Sequence, residues 1–151
     1  RNQVVIAKAG ALAPLVRLLK DSDSSVQAEA AGALITLAGT HYENRVAITR
    51  AGAVPHLVLL LAGDAPVVRE RAAATLRTLA ANNADNQVAI AQAGAISELV
   101  KLTQDGSPGV RSEAAAALSH LAFYNAETNY GNQVAMAAAG AIAPLVGLLQ
   151  D

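Results

Sequence analysis

Ala-Gly-Ala recurs through the 151-residue chain around Gly10, Gly52, Gly94 and Gly140, at intervals of 42, 42 and 46 residues. Each copy is preceded, eight residues earlier, by Asn-x-Val at Asn2, Asn44, Asn86 or Asn132. A period near 42 suits stacked helical repeats and is too long for the 33–34-residue types. The spacing predicts one domain, 1–151, with repeats 1–42, 43–84 and 85–130 and a two-helix half-repeat, 131–151. No single copy can bury its apolar faces alone, so the copies must stack into one continuous core.

Each full repeat reads as three helices, which makes about eleven in all. The first is short, Val4–Ala9 in the first copy. Its asparagine is placed to accept early backbone N–H bonds, and the recurrent glycine ends it in a left-handed turn. The second helices are Ala11–Lys20, Ala53–Leu61, Ala95–Thr103 and Ala141–Gln150. Pro14, Pro55 and Pro144 fall in their first turns, where a missing N–H costs little. The third helices are Val26–Ala38, Val68–Ala80 and Val110–Ala122, with Asp23 and Ser107 as N-caps and Pro66 and Pro108 beside the helix starts. Val26, Ala30, Leu34 and Leu37 mark a buried stripe, repeated at Val68, Ala72, Leu76 and Leu79 and at Val110, Ala114, Leu118 and Leu121.

Composition excludes several classes. The chain is 53% hydrophobic but 3% aromatic, so its apolar content is Ala, Val, Leu and Ile, which suits close helix packing. The absence of cysteine removes disulfides and thiolate sites and leaves the redox compartment undetermined. A net charge of −1 provides no electrostatic footprint for nucleic acid. Tyr130 to Gln150 carries no charge, yet the last 21 residues match the first 21 at 14 positions. That segment reads as a repeat element that has lost surface charge, and no membrane insertion is expected. Without an initiator Met or a signal peptide, the chain reads as a segment or a processed product. His41, His56 and His120 occupy different repeat positions and form no metal-ligand spacing. No phosphate loop and no nucleophile elbow occurs. The expectation is a non-enzyme with no cofactor and no metal, in the cytoplasm or nucleus.

The pattern Asn-x-Val-x-Ile-x-x-Ala-Gly-Ala-Ile-x-x-Leu-Val-x-Leu, followed by Val-Arg-x-x-Ala-Ala-x-x-Leu-x-x-Leu-Ala, resembles the armadillo repeat over the whole chain. It is most similar to β-catenin-like and plant or protist armadillo proteins. The resemblance implies an all-α, right-handed α-solenoid whose third helices line a concave groove for extended segments of partner proteins. Glu29, Thr36 and Thr40 mark the groove-facing stripe in the first copy. Their counterparts are Arg71, Thr78 and Asn82 in the second and Glu113, His120 and Tyr124 in the third. Members that bind extended peptides carry Asn at the position of Thr36, Thr78 and His120. Importin-like members add Trp where this chain has Gly32, Ala74 and Ala116. Both ladders are absent, which argues against nuclear-import cargo.

Arg71, with Arg69, Arg77 and Arg111 nearby, suits an acidic or phosphorylated segment through bidentate guanidinium contacts. The alternative is that Glu29 and Glu113, on adjacent helices, pair with Arg71. Phe123, Tyr124 and Tyr130 bracket the insertion Phe123–Gly131, read as an aromatic junction loop that can anchor a partner. Three stacked third helices about 8–10 Å apart make a groove of roughly 30 Å, room for about nine extended residues.

The chain stops where another third helix is due. This places an apolar end interface at Leu145, Leu148 and Leu149, covered by further repeats or by a second copy. The expected function is a protein-interaction scaffold. The alternatives are an assembly module that self-associates through its ends and, by resemblance to plant ligases, a substrate-recognition fragment of a ubiquitin ligase.

Overall fold

The computed structural model describes residues 7–105, 107–122 and 126–149. Among them are ten α-helices and no strand, after a helical turn, Ala7–Ala11, bent at Gly10. The helices are α1 (Leu12–Leu18), α2 (Ser24–Ala38), α3 (Tyr42–Arg50), α4 (Ala53–Leu61) and α5 (Pro66–Ala80), followed by α6 (Ala84–Gln92), α7 (Ala95–Leu102), α8 (Pro108–Ala122), α9 (Ala126–Ala138) and α10 (Ile142–Gly147). The first predicted helix is represented only by the turn, since residues 4–6 lie outside the described residues.

The three long helices, α2, α5 and α8, end at Ala38, Ala80 and Ala122, as the spacing predicts, and begin two residues earlier than expected. Pro66 and Pro108 open α5 and α8, where proline's fixed φ suits a helix start. Asp23 caps α2 by accepting the Ser25 N–H at 2.7 Å. These helices form one layer in which α5 packs on both α2 and α8; α1, α4 and α7 lie alongside as a second layer. The core runs through the stack without a break, and Leu34, Leu57, Leu76, Leu79, Leu99, Leu118 and Leu121 are essentially fully buried in it. The chain is a two-layer helical solenoid.

Gly52 and Gly94 adopt φ of +84° and +85° between the first and second helices of their units. A side chain there would meet no atom within 4 Å, so the requirement is the left-handed backbone alone, which glycine adopts without steric penalty.

The repeated asparagines do not cap their helices. Asn44 and Asn86 sit inside the first turn of α3 and α6, and Asn132 lies within α9. All three are buried. Each donates its side-chain amide to a carbonyl at the end of the preceding long helix: Leu37 at 2.7 Å, Leu79 at 3.0 Å and Leu121 at 3.0 Å. Those carbonyls belong to the last turn of a helix, which has no intrahelical donor to offer them. The cap role in α6 falls to Asn83, which accepts from the Asn86 N–H; His41 precedes α3 without a side-chain cap bond. Asn2 lies outside the described residues.

The extra four residues of the third interval are likewise not a projecting loop over their described part. α9 has 13 residues where α3 and α6 have 9, so the insertion adds about one helical turn. Asn132 keeps its bond to the Leu121 carbonyl across 11 residues, where the earlier copies span 7.

Candidate functional site

The expected groove residues divide by helix. Glu29 and Thr36 are exposed on α2, Arg71 is exposed and Thr78 half-buried on α5, and Glu113 and His120 are half-buried on α8. Thr40 and Asn82 are exposed in the turns beyond α2 and α5, so they are not continuations of the helical stripe. Asn82 has φ of +50°, a left-handed conformation that Asn tolerates better than most residues. Tyr124, with Phe123, lies outside the described residues.

The threonine hydroxyls are occupied as donors. Thr36 donates to the Gly32 carbonyl at 3.1 Å and Thr78 to that of Ala74 at 2.8 Å. Their oxygens keep lone pairs with which to accept an N–H group. The fully buried Thr75 bonds to the Arg71 carbonyl of its own helix and also to the Ala31 carbonyl of α2, which ties α5 to its neighbour.

Four arginines that look alike in sequence fill three different roles. Arg69 reaches back to the Gly63 and Asp64 carbonyls and forms an ion pair with Asp105 at 3.0 Å. Arg111 donates to the Asp105 carbonyl, and Gln27 makes the equivalent bond to that of Asp21. Position 27, with its copies at 69 and 111, is thus a clamp on the loop between second and third helices. Arg77 crosses from α5 to α8 and pairs with Glu113 through Nε at 2.8 Å. Glu113 is accordingly the partner of Arg77, not of Arg71.

Arg71 extends over α2. A methyl group at Gly32 would stand 3.1 Å from Arg71 Nη1, so the missing side chain leaves a seat for the guanidinium. The side chain has no hydrogen bond or ion pair with another described residue. The copies of Gly32 are Ala74 and Ala116.

His120 stands near the Arg77–Glu113 pair. Partial burial, followed by the charges of Arg77 and Arg45, holds its pKa below the usual histidine value, because each opposes a second positive charge. Arg45, itself buried, donates to the Gly39 carbonyl at 2.9 Å through Nη2 and to the Ala81 carbonyl through Nη1. It joins the ends of two long helices. Nothing in the local pattern around Arg45 announces this, since the copies at 87 and 133 are glutamines. Among the described residues no group of three or more His, Asp or Glu is placed to hold a metal ion, and no helix is long and apolar enough to cross a membrane.

At the far end, Leu145 packs against the core, Leu148 is half-buried and Leu149 is 87% exposed. The exposed apolar surface there also includes Ile142, Val146 and Val134. At the other end, Leu15, Leu18, Val26 and Ala30 line an apolar depression of about 340 Å³.

Three stretches of the chain, 1–34, 41–81 and 83–123, match the armadillo/beta-catenin-like repeat. Among solved structures, one similar chain is a designed armadillo repeat protein in complex with the peptide (KR)4: TM-score 0.91, 36% identity, 99% of this chain and 61% of that one. Another comes from computationally designed armadillo repeat proteins for modular peptide recognition: TM-score 0.89, 36% identity, 99% and 61% coverage. A third is an engineered protein: TM-score 0.91, 37% identity, 97% and 58% coverage. The chain thus spans about three fifths of the length of these structures. A search among curated proteins finds no match. The repeated glycine turns, the long-helix layer and the matches over most of its length place this chain in the armadillo/beta-catenin-like repeat family.

Proposed function

We propose that the chain is a protein-interaction scaffold that takes an extended segment of a partner across the exposed face of α2, α5 and α8. The observation that carries this reading is the layer of three long helices, with polar groups in equivalent places on its open side. Thr36 and Thr78 offer acceptor oxygens, Arg71 offers unused donors, and Glu29, Asn82, Glu113 and His120 border them. An extended peptide exposes alternating N–H and C=O groups and needs both kinds of partner. The likeness to a designed armadillo repeat protein that holds a peptide supports the same reading.

The test is titration of the ¹⁵N-labelled chain with an octapeptide library, followed by amide shifts. Groove binding perturbs residues 29–40, 71–82 and 113–120 together. Perturbation confined to α9 and α10 would overturn it.

A second reading rests on the exposed Ile142, Val146 and Leu149: the α10 end docks onto another apolar surface, which makes the chain an assembly module. Sedimentation velocity distinguishes the two. If the end is an interface, association at high concentration is lost in Val146→Glu and Leu149→Glu; a monomer at every concentration rejects self-association.

A further inference from the structure

The two junctions between long helices differ in a way that bears on what the groove recognises. Between α5 and α8, Glu113 holds Arg77 at 2.8 Å, and that junction is closed by its own ion pair. Between α2 and α5 the equivalent positions hold Ile35 and Arg71, which cannot form an ion pair. Arg71 instead extends over Gly32, one turn further along α2 than Glu29, and neither Arg71 nor Glu29 has a side-chain hydrogen bond or ion pair within the described residues.

The seat is specific to this junction. Gly32 has no counterpart, since the next copies are Ala74 and Ala116. Gly32 also lies in the middle of α2, where glycine costs about 1 kcal/mol relative to alanine. With no partner among the described residues, the planar fork of N–H donors on Arg71 is open to two-point recognition of a planar or tetrahedral oxyanion.

We propose that Arg71, seated on Gly32, is the specificity-determining residue of the groove and reads an anionic side chain, a carboxylate or a phosphate monoester, on the bound segment. This rests on the groove-binding reading above and adds the chemistry of the partner to it. Glu29, one turn away on α2, disfavours a second acidic residue at the adjacent position of the segment, so an isolated negative charge fits better than a continuous acidic run.

Fluorescence anisotropy with labelled octapeptides tests this. One probe carries a single Glu in a Ser/Ala background, one a phosphoserine at the same position, one an Ala there, and the fourth is (Lys-Arg)4. The Glu and phosphoserine probes bind at least tenfold more tightly than the Ala probe, and their ratio shows which oxyanion the site prefers. Arg71→Glu weakens both anionic probes about tenfold or more, the loss that accompanies removal of a charge-assisted hydrogen bond. Arg17→Glu, the same charge change on exposed α1, leaves them within twofold. Gly32→Ala, which keeps Arg71 but makes its guanidinium shift by a few tenths of an ångström, also weakens the anionic probes several-fold while leaving the fold at least as heat-stable as the parent.

Equal binding of the Glu and Ala probes, or equal losses in Arg71→Glu and Arg17→Glu, overturns the role of Arg71 while groove binding stands. Preference for (Lys-Arg)4 that persists in Arg71→Glu overturns it as well. Failure of all four probes to shift any groove amide rejects both readings.

Discussion

Replacing Asn86 isolates the interaction that holds one three-helix unit to the next. Its side chain is 2% exposed, and its amide donates to the Leu79 carbonyl at 3.0 Å. Leu79 is the penultimate residue of α5, so its carbonyl has no following helical N–H to accept from. Asn86→Ala removes the donor, leaves that carbonyl buried and opens a small void. An unsatisfied buried acceptor costs about 1–3 kcal/mol. For a chain of this size about 2 kcal/mol lowers Tm by about 4–8 °C.

Thermal and urea denaturation followed by circular dichroism read the loss, with Gln92→Ala, an exposed change in the same helix, as the control. Asn86→Asp separates the hydrogen bond from the void. At neutral pH a carboxylate faces the carbonyl oxygen, so this variant is less stable than Asn86→Ala. On acidification the carboxyl gains a proton it can donate, and burial raises its folded pKa above the unfolded value, so its stability relative to the parent rises as pH falls. A cost for Asn86→Ala no larger than that of Gln92→Ala, or an Asn86→Asp defect indifferent to pH, would refute the clamp.

Three further outcomes follow from the geometry. Gly52→Ala meets no neighbouring atom but must hold φ of +84°, so it destabilises by about 1–2 kcal/mol in urea melts, and a neutral effect would show that the turn can relax. Arg45→Met keeps most of the buried volume but strands the Gly39 and Ala81 carbonyls; a loss of about 1.5–3 kcal/mol is expected, and Arg45→Gln recovers part of it if a bond to Gly39 re-forms. His120 has its folded pKa depressed by burial and by Arg77 and Arg45, so the unfolded chain takes up its proton first as pH falls below the usual histidine value of 6.5. Stability from this group is complete above pH 6.5 and declines on acidification; His120→Gln flattens the decline in Tm between pH 7 and 5, though not the part due to His56, which is shifted in the same direction by burial and Lys20.

Much of the fold was legible because it depends on local rules applied three times. The glycine period, the proline starts and the Val/Ala/Leu stripe locate the long helices, and their last residues match at all three copies. The site was less legible. Asn44, Asn86 and Asn132 read as helix caps, yet their partners lie 7 or 11 residues back on another helix. Arg69, Arg71 and Arg77 share one short segment, but helical rotation sends the first to a loop clamp, the second over α2 and the third to Glu113 on α8. The insertion reads as a loop because it interrupts the period, and part of it became helix instead, since α9 can add a turn without disturbing Asn132.

Sequence by itself therefore determined the stacking unit, its helical class and its buried stripe apart from Val26, which is only half-buried, because side-chain periodicity and a required left-handed glycine act within a few residues of the chain. Tertiary structure decided which polar side chains are spent on the scaffold and which stay open to a partner. Those pairings join residues some 36 to 44 positions apart, such as Arg69 with Asp105, Arg77 with Glu113 and Thr75 with Ala31. They exist only once one helix has been laid against the next, and that packing left the Arg71 guanidinium above Gly32 without a partner among the described residues.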